Sequence, residues 1–101
     1  MLFRSVEIID LRTLVPFDEE TVLASVRKTS KVIVLHEATL TSGFGGEVAA
    51  RIGEKAFESL DGPIVRITAP DTPVPYSPPL EEAFLPNVGK VLEKARWLAG
   101  Y

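Results

Sequence analysis

The 101-residue chain has no cysteine, one histidine and one tryptophan. Without thiols it forms no disulfide, and one imidazole is too few for a histidine metal centre. Structural zinc and thiol catalysis are thereby excluded for this chain alone. Positive charge is also short. Eleven Lys and Arg stand against 14 Asp and Glu, for a net charge of −3, so nothing draws a polyphosphate backbone and the balance argues against nucleic-acid binding. No apolar run approaches the roughly 18 residues a membrane helix requires. The first residues lack a charged segment followed by a long apolar one, so the chain reads as soluble, unexported and cytoplasmic, in keeping with the missing cysteine.

What is present suits one small folded domain. Apolar residues make up 46% of the chain and charged residues 25%, and a chain of this length buries roughly two thirds of its unfolded surface. Val6 to Asp10 (VEIID) is short, apolar and rich in branched residues and reads as a strand that ends before Pro16. Asp18, Glu19 and Glu20 suit the positive end of a helix dipole, Val22, Leu23 and Val26 make one apolar stripe, and Arg27, Lys28 and Lys31 close it. These residues predict a helix of about three turns. Lys31 to His36 (KVIVLH) is a continuous apolar run that reads as a strand covered on both faces.

A glycine-rich loop, Thr39 to Gly46, precedes Val48, Ala49, Ile52, Ala56 and Leu60 at helical spacing. Asp61-Gly62-Pro63 is turn chemistry, and Ile64 to Thr68 reads as a third strand. Six of the eight prolines lie between Pro70 and Pro86, which predicts a stiff extended connector. From Asn87, the residues Val88, Val91, Leu92, Ala95 and Leu98 predict an amphipathic helix that runs nearly to the C-terminus. The alternation of strand and helix implies a parallel or mostly parallel sheet with helices on its faces.

Few side chains carry chemistry. His36 sits at the C-terminal end of a strand, where open α/β sheets place ligands, but strand alternation points it and Glu37 to opposite faces. It is therefore either a structural or interface histidine or a ligand or catalytic contact. Gly43-Phe44-Gly45-Gly46 before a helix resembles a phosphate cradle in outline, yet its spacing is not that of a dinucleotide or P-loop fingerprint, and a tight turn opening the helix accounts for it. Asp71 to Tyr76 is either a loop wrapping the sheet edge or a docking surface. Trp97 and Tyr101 lie at the margin of the last helix's apolar stripe, where aromatics serve as packing or as interface anchors. Asp61 lies past a helix end and gains nothing from the dipole, so another partner for it is worth considering.

Read together, Asp10 to Pro16 (DLRTLVP), His36 to Ala38 (HEA), Gly43 to Glu47 (GFGGE) and Asp71 to Tyr76 (DTPVPY) resemble the C-terminal domain of the beta subunit of thiamine-diphosphate-dependent 2-oxo acid dehydrogenases. The resemblance runs from Val6 to Tyr101 and is shared by pyruvate, branched-chain 2-oxo acid and acetoin dehydrogenases. It implies a transketolase C-terminal-like domain: a three-layer α/β/α sandwich with a mostly parallel sheet, here lacking the family's first strand and helix. Met1 to Ser5 (MLFRS) does not resemble the family and reads as a non-native start, leaving residues 6–101 as a partial domain. Such a fragment is expected to be marginal or aggregation-prone.

The resemblance further implies an assembly and docking role in a parent enzyme that decarboxylates a 2-oxo acid and passes the acyl group to a lipoyl arm. The parent uses thiamine diphosphate and Mg, held outside this domain; no cofactor, metal or catalytic residue is expected in this chain alone. The implied partners are the alpha subunit and a second beta subunit in an α2β2 assembly, and the peripheral subunit-binding domain of the dihydrolipoyl acyltransferase. In the family an acidic residue in a turn L-[DE]-x-P and the terminal carboxylate make that docking contact, which here are Asp61 and Tyr101. The alternative is an independent nucleotide- or phosphate-binding α/β domain built on His36 and the Gly43 to Gly46 loop. A transketolase or deoxyxylulose phosphate synthase domain would share the fold but is less well matched by these motifs.

Overall fold

Asp18 accepts the Thr21 N–H at 3.2 Å and the Thr21 hydroxyl at 2.7 Å, which caps the orphan donors at the start of α1 (Glu19–Thr29). Glu19 and Glu20 in its first turn and Arg27 and Lys28 in its last complement the dipole as expected. Ser30 closes the helix in the left-handed conformation, its N–H returning to the Val26 carbonyl. The computed structural model describes residues 6–12, 17–72, 77, 79 and 85–101.

After α1 the chain forms β1 (Ile33–Thr39), α2 (Phe44–Lys55), a 3-10 turn (Phe57–Ser59), β2 (Val65–Ala69) and α3 (Val88–Ala99). The two strands are parallel and adjacent, with Ile33 opposite Val65, Leu35 opposite Ile67 and Thr39 opposite Ala69, and an irregularity between Leu35 and Thr39. A parallel pair needs a crossover, and α2 supplies it. Asn87 caps α3 by accepting the Lys90 N–H at 2.9 Å, so both outer helices open with short polar side chains that were visible in the sequence.

Helices α1 and α2 share the main core: Val22, Leu23, Val26, Val48, Ile52 and Ala56 are buried together, with Val34 of β1 packed against them. Val34 and Arg66 both approach the start of α2, so Ile67, one residue further on, faces away from it. There α3 packs against β2, and Ile67, Ala69 and Leu98 are buried. The order is helices, sheet, helix: an α/β fold with a parallel sheet and helices on its faces, as the residue pattern implied, in the three layers that the resemblance implied.

Three expectations are corrected. Val6 to Asp10 is not a strand: Ile9 and Leu11 pack on the core while Val6 and Ile8 are exposed, and an ion pair joins Glu7 to Lys28. The segment is anchored by side chains across a cleft of about 400 Å³ that borders β1 and is lined by Ile9, Val26, His36 and Phe44. With that gap no backbone ladder forms, so among the described residues β1 is paired on one edge alone. Second, β1 is not covered on both faces. Leu35 is 53% exposed because α3 lies over β2. Third, the helical spacing that ran to Leu60 is broken at Ala56 (φ −134°), beyond which a 3-10 turn takes over. Part of the DLRTLVP motif, residues 13–16, and most of DTPVPY, residues 73–76, lie outside the described residues.

Candidate functional site

At the C-terminal end of the sheet, where α/β folds most often bind ligands, His36 points toward α2 and Glu37 is exposed, the opposite facing that alternation required. The Gly45 N–H donates to His36 Nε2 at 3.1 Å. Since Nε2 is the acceptor, a neutral ring carries its proton on Nδ1, which is buried with no hydrogen-bond partner among the described residues. Gly45 is required by this ring, and Gly43 first by the Thr39 carbonyl and then by the ring. A Cβ on Gly45 would overlap Nε2 and lie 2.5 Å from Cδ2, and one on Gly43 would overlap the Thr39 carbonyl and come within 2.9 Å of Cε1. Both are close-approach glycines, needed for space rather than for a positive φ. The loop is thus a seat for an imidazole, and the N–H that a phosphate would use is already donated to His36.

A second tie was not evident from residues so far apart. The Thr41 N–H donates to Asp71 Oδ1 at 2.9 Å, and the Thr41 hydroxyl donates to Asp71 Oδ2. Arg66 donates to the Leu40 carbonyl at 3.2 Å. The Thr41 hydroxyl, then the Thr41 N–H, hold the Asp71 carboxyl below the usual aspartate range. Asp71 therefore secures the loop after β1 to the end of β2, which is the loop-wrapping reading of that residue.

The two residues implied as docking anions lie at the other end of the sheet. Asp61 is exposed and held through its backbone, its N–H donating to the Ser30 carbonyl at 2.8 Å. Next to it, Gly62 lies against the last helix: a Cβ there would sit 3.2 Å from Leu98 Cδ1 and 3.3 Å from Tyr101 Cδ1. Tyr101 is 68% exposed and Trp97 51%. Their rings meet at 5.4 Å between centroids, tilted by 58°. Lys31 donates to the Ala99 carbonyl at 3.3 Å, fixing the end of α3 beside the start of β1 and suiting a cation to a helix C-terminus. The structure thus brings Asp61 and Tyr101 to one exposed edge. No hydrogen bond or ion pair engages the Asp61 side chain among the described residues.

Sequence reasoning passed over Phe57, on the 3-10 turn four residues before Asp61 and 72% exposed. Its signal was available: it is a large aromatic one position off the apolar stripe ending at Ala56. Among the described residues no group of three His, Cys, Asp or Glu could hold a metal ion. With the Gly45 N–H at the start of α2 donated to His36, the described residues of this loop do not form a cradle for a diphosphate with its magnesium. No helix among the described residues is long and apolar enough to cross a membrane.

A family model described as transketolase, C-terminal domain, matches residues 4–91. The chain is 43% identical over 97 residues to 2-oxoisovalerate dehydrogenase subunit beta 2, mitochondrial, of Arabidopsis thaliana, covering 96% of this chain and 26% of that protein. It is 42% identical over 94 residues to the beta subunit of acetoin:2,6-dichlorophenolindophenol oxidoreductase of Bacillus subtilis strain 168, covering 93% of this chain and 28% of the relative. The pyruvate dehydrogenase E1 component subunit beta of the same organism is 46% identical over 92 residues, covering 91% and 28%. The chain therefore spans about a quarter of the length of the curated relatives it matches.

Proposed function

Because the chain belongs to the transketolase C-terminal domain family, we propose that it serves as the assembly and partner-docking domain of the beta subunit of a 2-oxo acid dehydrogenase. In that setting the parent enzyme oxidatively decarboxylates pyruvate or a branched-chain 2-oxo acid and passes the acyl group to a lipoyl arm. This domain contributes surfaces rather than reacting groups. Thiamine diphosphate and Mg belong to the parent enzyme and supply the decarboxylation chemistry there; no described residue of this chain is placed to hold them. The partners are an alpha subunit and a second beta subunit in an α2β2 assembly, and the peripheral subunit-binding domain of the acyltransferase. The setting is cytoplasmic.

One observation carries the docking role: Gly62 lets the Asp61 turn meet the end of α3, which puts an unpaired carboxylate and the C-terminal Tyr101 on the same exposed edge. Two anions so placed suit Arg or Lys of a partner, since charge-assisted hydrogen bonds are about twice as strong as neutral ones. The phosphate-binding alternative has less support, because the Gly45 N–H faces an imidazole. The test is Asp61→Lys in a beta subunit containing this domain. Calorimetric affinity for the acyltransferase binding domain is expected to fall at least about tenfold, with decarboxylation to an artificial acceptor nearly unchanged. Unaltered affinity rejects the assignment.

A further inference from the structure

The side-chain carboxyl carbon of an aspartate is open to attack by the backbone nitrogen of the next residue, a ring closure whose two ends already share one chain. Three conditions favour it. The carboxyl must be free of partners, the following N–H must not be tied into a hydrogen bond, and the following residue must carry no side chain to block the approach.

Of the four aspartates in the chain, three fail at least one condition. Both oxygens of Asp18 are taken by Thr21, and the Glu19 N–H donates to the Phe17 carbonyl at 2.9 Å. Both oxygens of Asp71 are taken by Thr41, and the Thr72 N–H donates to the Pro70 carbonyl at 2.8 Å. Asp10 pairs with Arg12 at 3.5 Å, and Leu11 after it packs its branched side chain on the core. Asn87, whose amide would react in the same way, accepts the Lys90 N–H at 2.9 Å and precedes the branched Val88.

Asp61 meets all three. It is exposed and its side chain has no partner among the described residues. The Gly62 N–H donates to nothing among them either. The missing side chain at 62 is imposed by the packing, since a Cβ there would lie 3.2 Å from Leu98 Cδ1 and 3.3 Å from Tyr101 Cδ1. Holding the end of α3 against this turn thus fixes a glycine at the position that leaves Asp61 most open to attack.

We infer that Asp61-Gly62 is a site of spontaneous aspartate isomerisation in the subunit whose Asp61 edge is uncovered. The Gly62 nitrogen gives up its proton and bonds to Asp61 Cγ, and the carboxyl hydroxyl leaves with a proton as water, which closes a succinimide. Water then adds to one ring carbonyl and breaks that carbon's bond to nitrogen. Breaking the Cγ bond restores aspartate, and breaking the backbone carbonyl bond yields isoaspartate. One water leaves and one enters, with no change of oxidation state. In isoaspartate the main chain runs through Cβ and Cγ, one atom longer, and the carboxylate sits on Cα. The Asp61 N–H is anchored on the Ser30 carbonyl at 2.8 Å, so the added length falls at Gly62 and loosens the turn from Leu98 and Tyr101.

The test incubates a beta subunit containing this domain in warm, weakly acidic buffer, where the hydroxyl of a neutral carboxyl leaves readily as water. A synthetic peptide spanning Ala56 to Arg66, the tryptic fragment that holds the turn, is incubated alongside and gives the unrestrained rate. Isoaspartate is scored by peptide fragmentation and by labelling with an isoaspartyl methyltransferase. It is expected to accumulate at Asp61 within about tenfold of the peptide rate, with a succinimide form lighter by one water, and to be absent at Asp10, Asp18 and Asp71. Asp61→Glu, which would need a six-membered ring, should abolish the signal in a subunit with native circular dichroism. A folded rate more than about tenfold below that of the peptide means that the fold restrains the turn and overturns the inference. So does label that persists in Asp61→Glu, or isoaspartate formed as fast at another aspartate.

Discussion

Replacing Gly45 by Ala tests whether His36 is seated as described. The new methyl would overlap Nε2 and lie 2.5 Å from Cδ2 and 3.3 Å from Val34 Cγ1, while the ring has Gly43 on its Cε1 side. The ring cannot step aside without losing the Gly45 N–H bond of 3.1 Å. Losing that bond costs about 1 kcal/mol, and forcing a methyl into a filled space about 1–3 kcal/mol. The gain in helix propensity from Gly to Ala returns about 1 kcal/mol at most. The expected net loss is about 2 kcal/mol, or roughly 10 °C in melting temperature for a domain of this size. In a His36→Ala background the obstacle is gone, and Gly45→Ala should be neutral or stabilising by up to about 1 kcal/mol. Urea unfolding of the four proteins, followed by far-UV circular dichroism, measures the coupling, expected at about 2–3 kcal/mol. If Gly45→Ala costs the same in both backgrounds, the imidazole does not fill that space and the account of Gly45 is wrong.

Two further outcomes follow from the packing and the charges. Ile52 is 1% exposed at the centre of the α1–α2 core, so Ile52→Ala should lose about 2–5 kcal/mol, a large share of the stability of a small domain, seen as a collapsed urea midpoint. Asp71 and Asp18 are held below the usual aspartate value of 3.8, chiefly by the side-chain hydroxyls of Thr41 and Thr21. Glu7 is held below 4.5, chiefly by Lys28. Because the folded values are the lower ones, these groups stabilise the fold above their ordinary values and lose that contribution as pH falls through the depressed ones. The urea midpoint should therefore decline below about pH 4, and less steeply in Asp71→Asn; a midpoint indifferent to pH in that range would refute the assignment.

Much of the fold could be read from local chemistry. Asp18 with Glu19 and Glu20, and Asn87 before an i, i+3, i+4 stripe, carry their helices in a few adjacent residues, because capping and amphipathicity are local properties. Val6 to Asp10 had strand composition, but a strand exists through its ladder, and the β1 edge it would have joined is separated from it by a cleft. The exposure of Leu35 likewise depended on which strand α3 chose to cover. Around the site, Asp61 and Tyr101 were singled out by charge and resemblance, whereas their convergence depends on Gly62, and the Thr41–Asp71 tie joins residues 30 apart. The seating of His36 explains why a glycine stands at position 45, in the first turn of α2. A glycine at a helix start looks like a breaker until the neighbour that requires it is known.

Trp97 is the sole tryptophan of the chain, and it stands half in solvent against Tyr101, whose ring in turn lies against Gly62 of the Asp61 turn. The intrinsic emission of this domain therefore reports on its edge and not on its interior. Unfolding should shift that signal little, since the indole is already wet, whereas a protein settling on the anionic edge should dry it and move the emission to shorter wavelength. The molecule carries its own optical reporter of occupancy, and an unlabelled titration would show a partner arriving while the core stays spectroscopically silent.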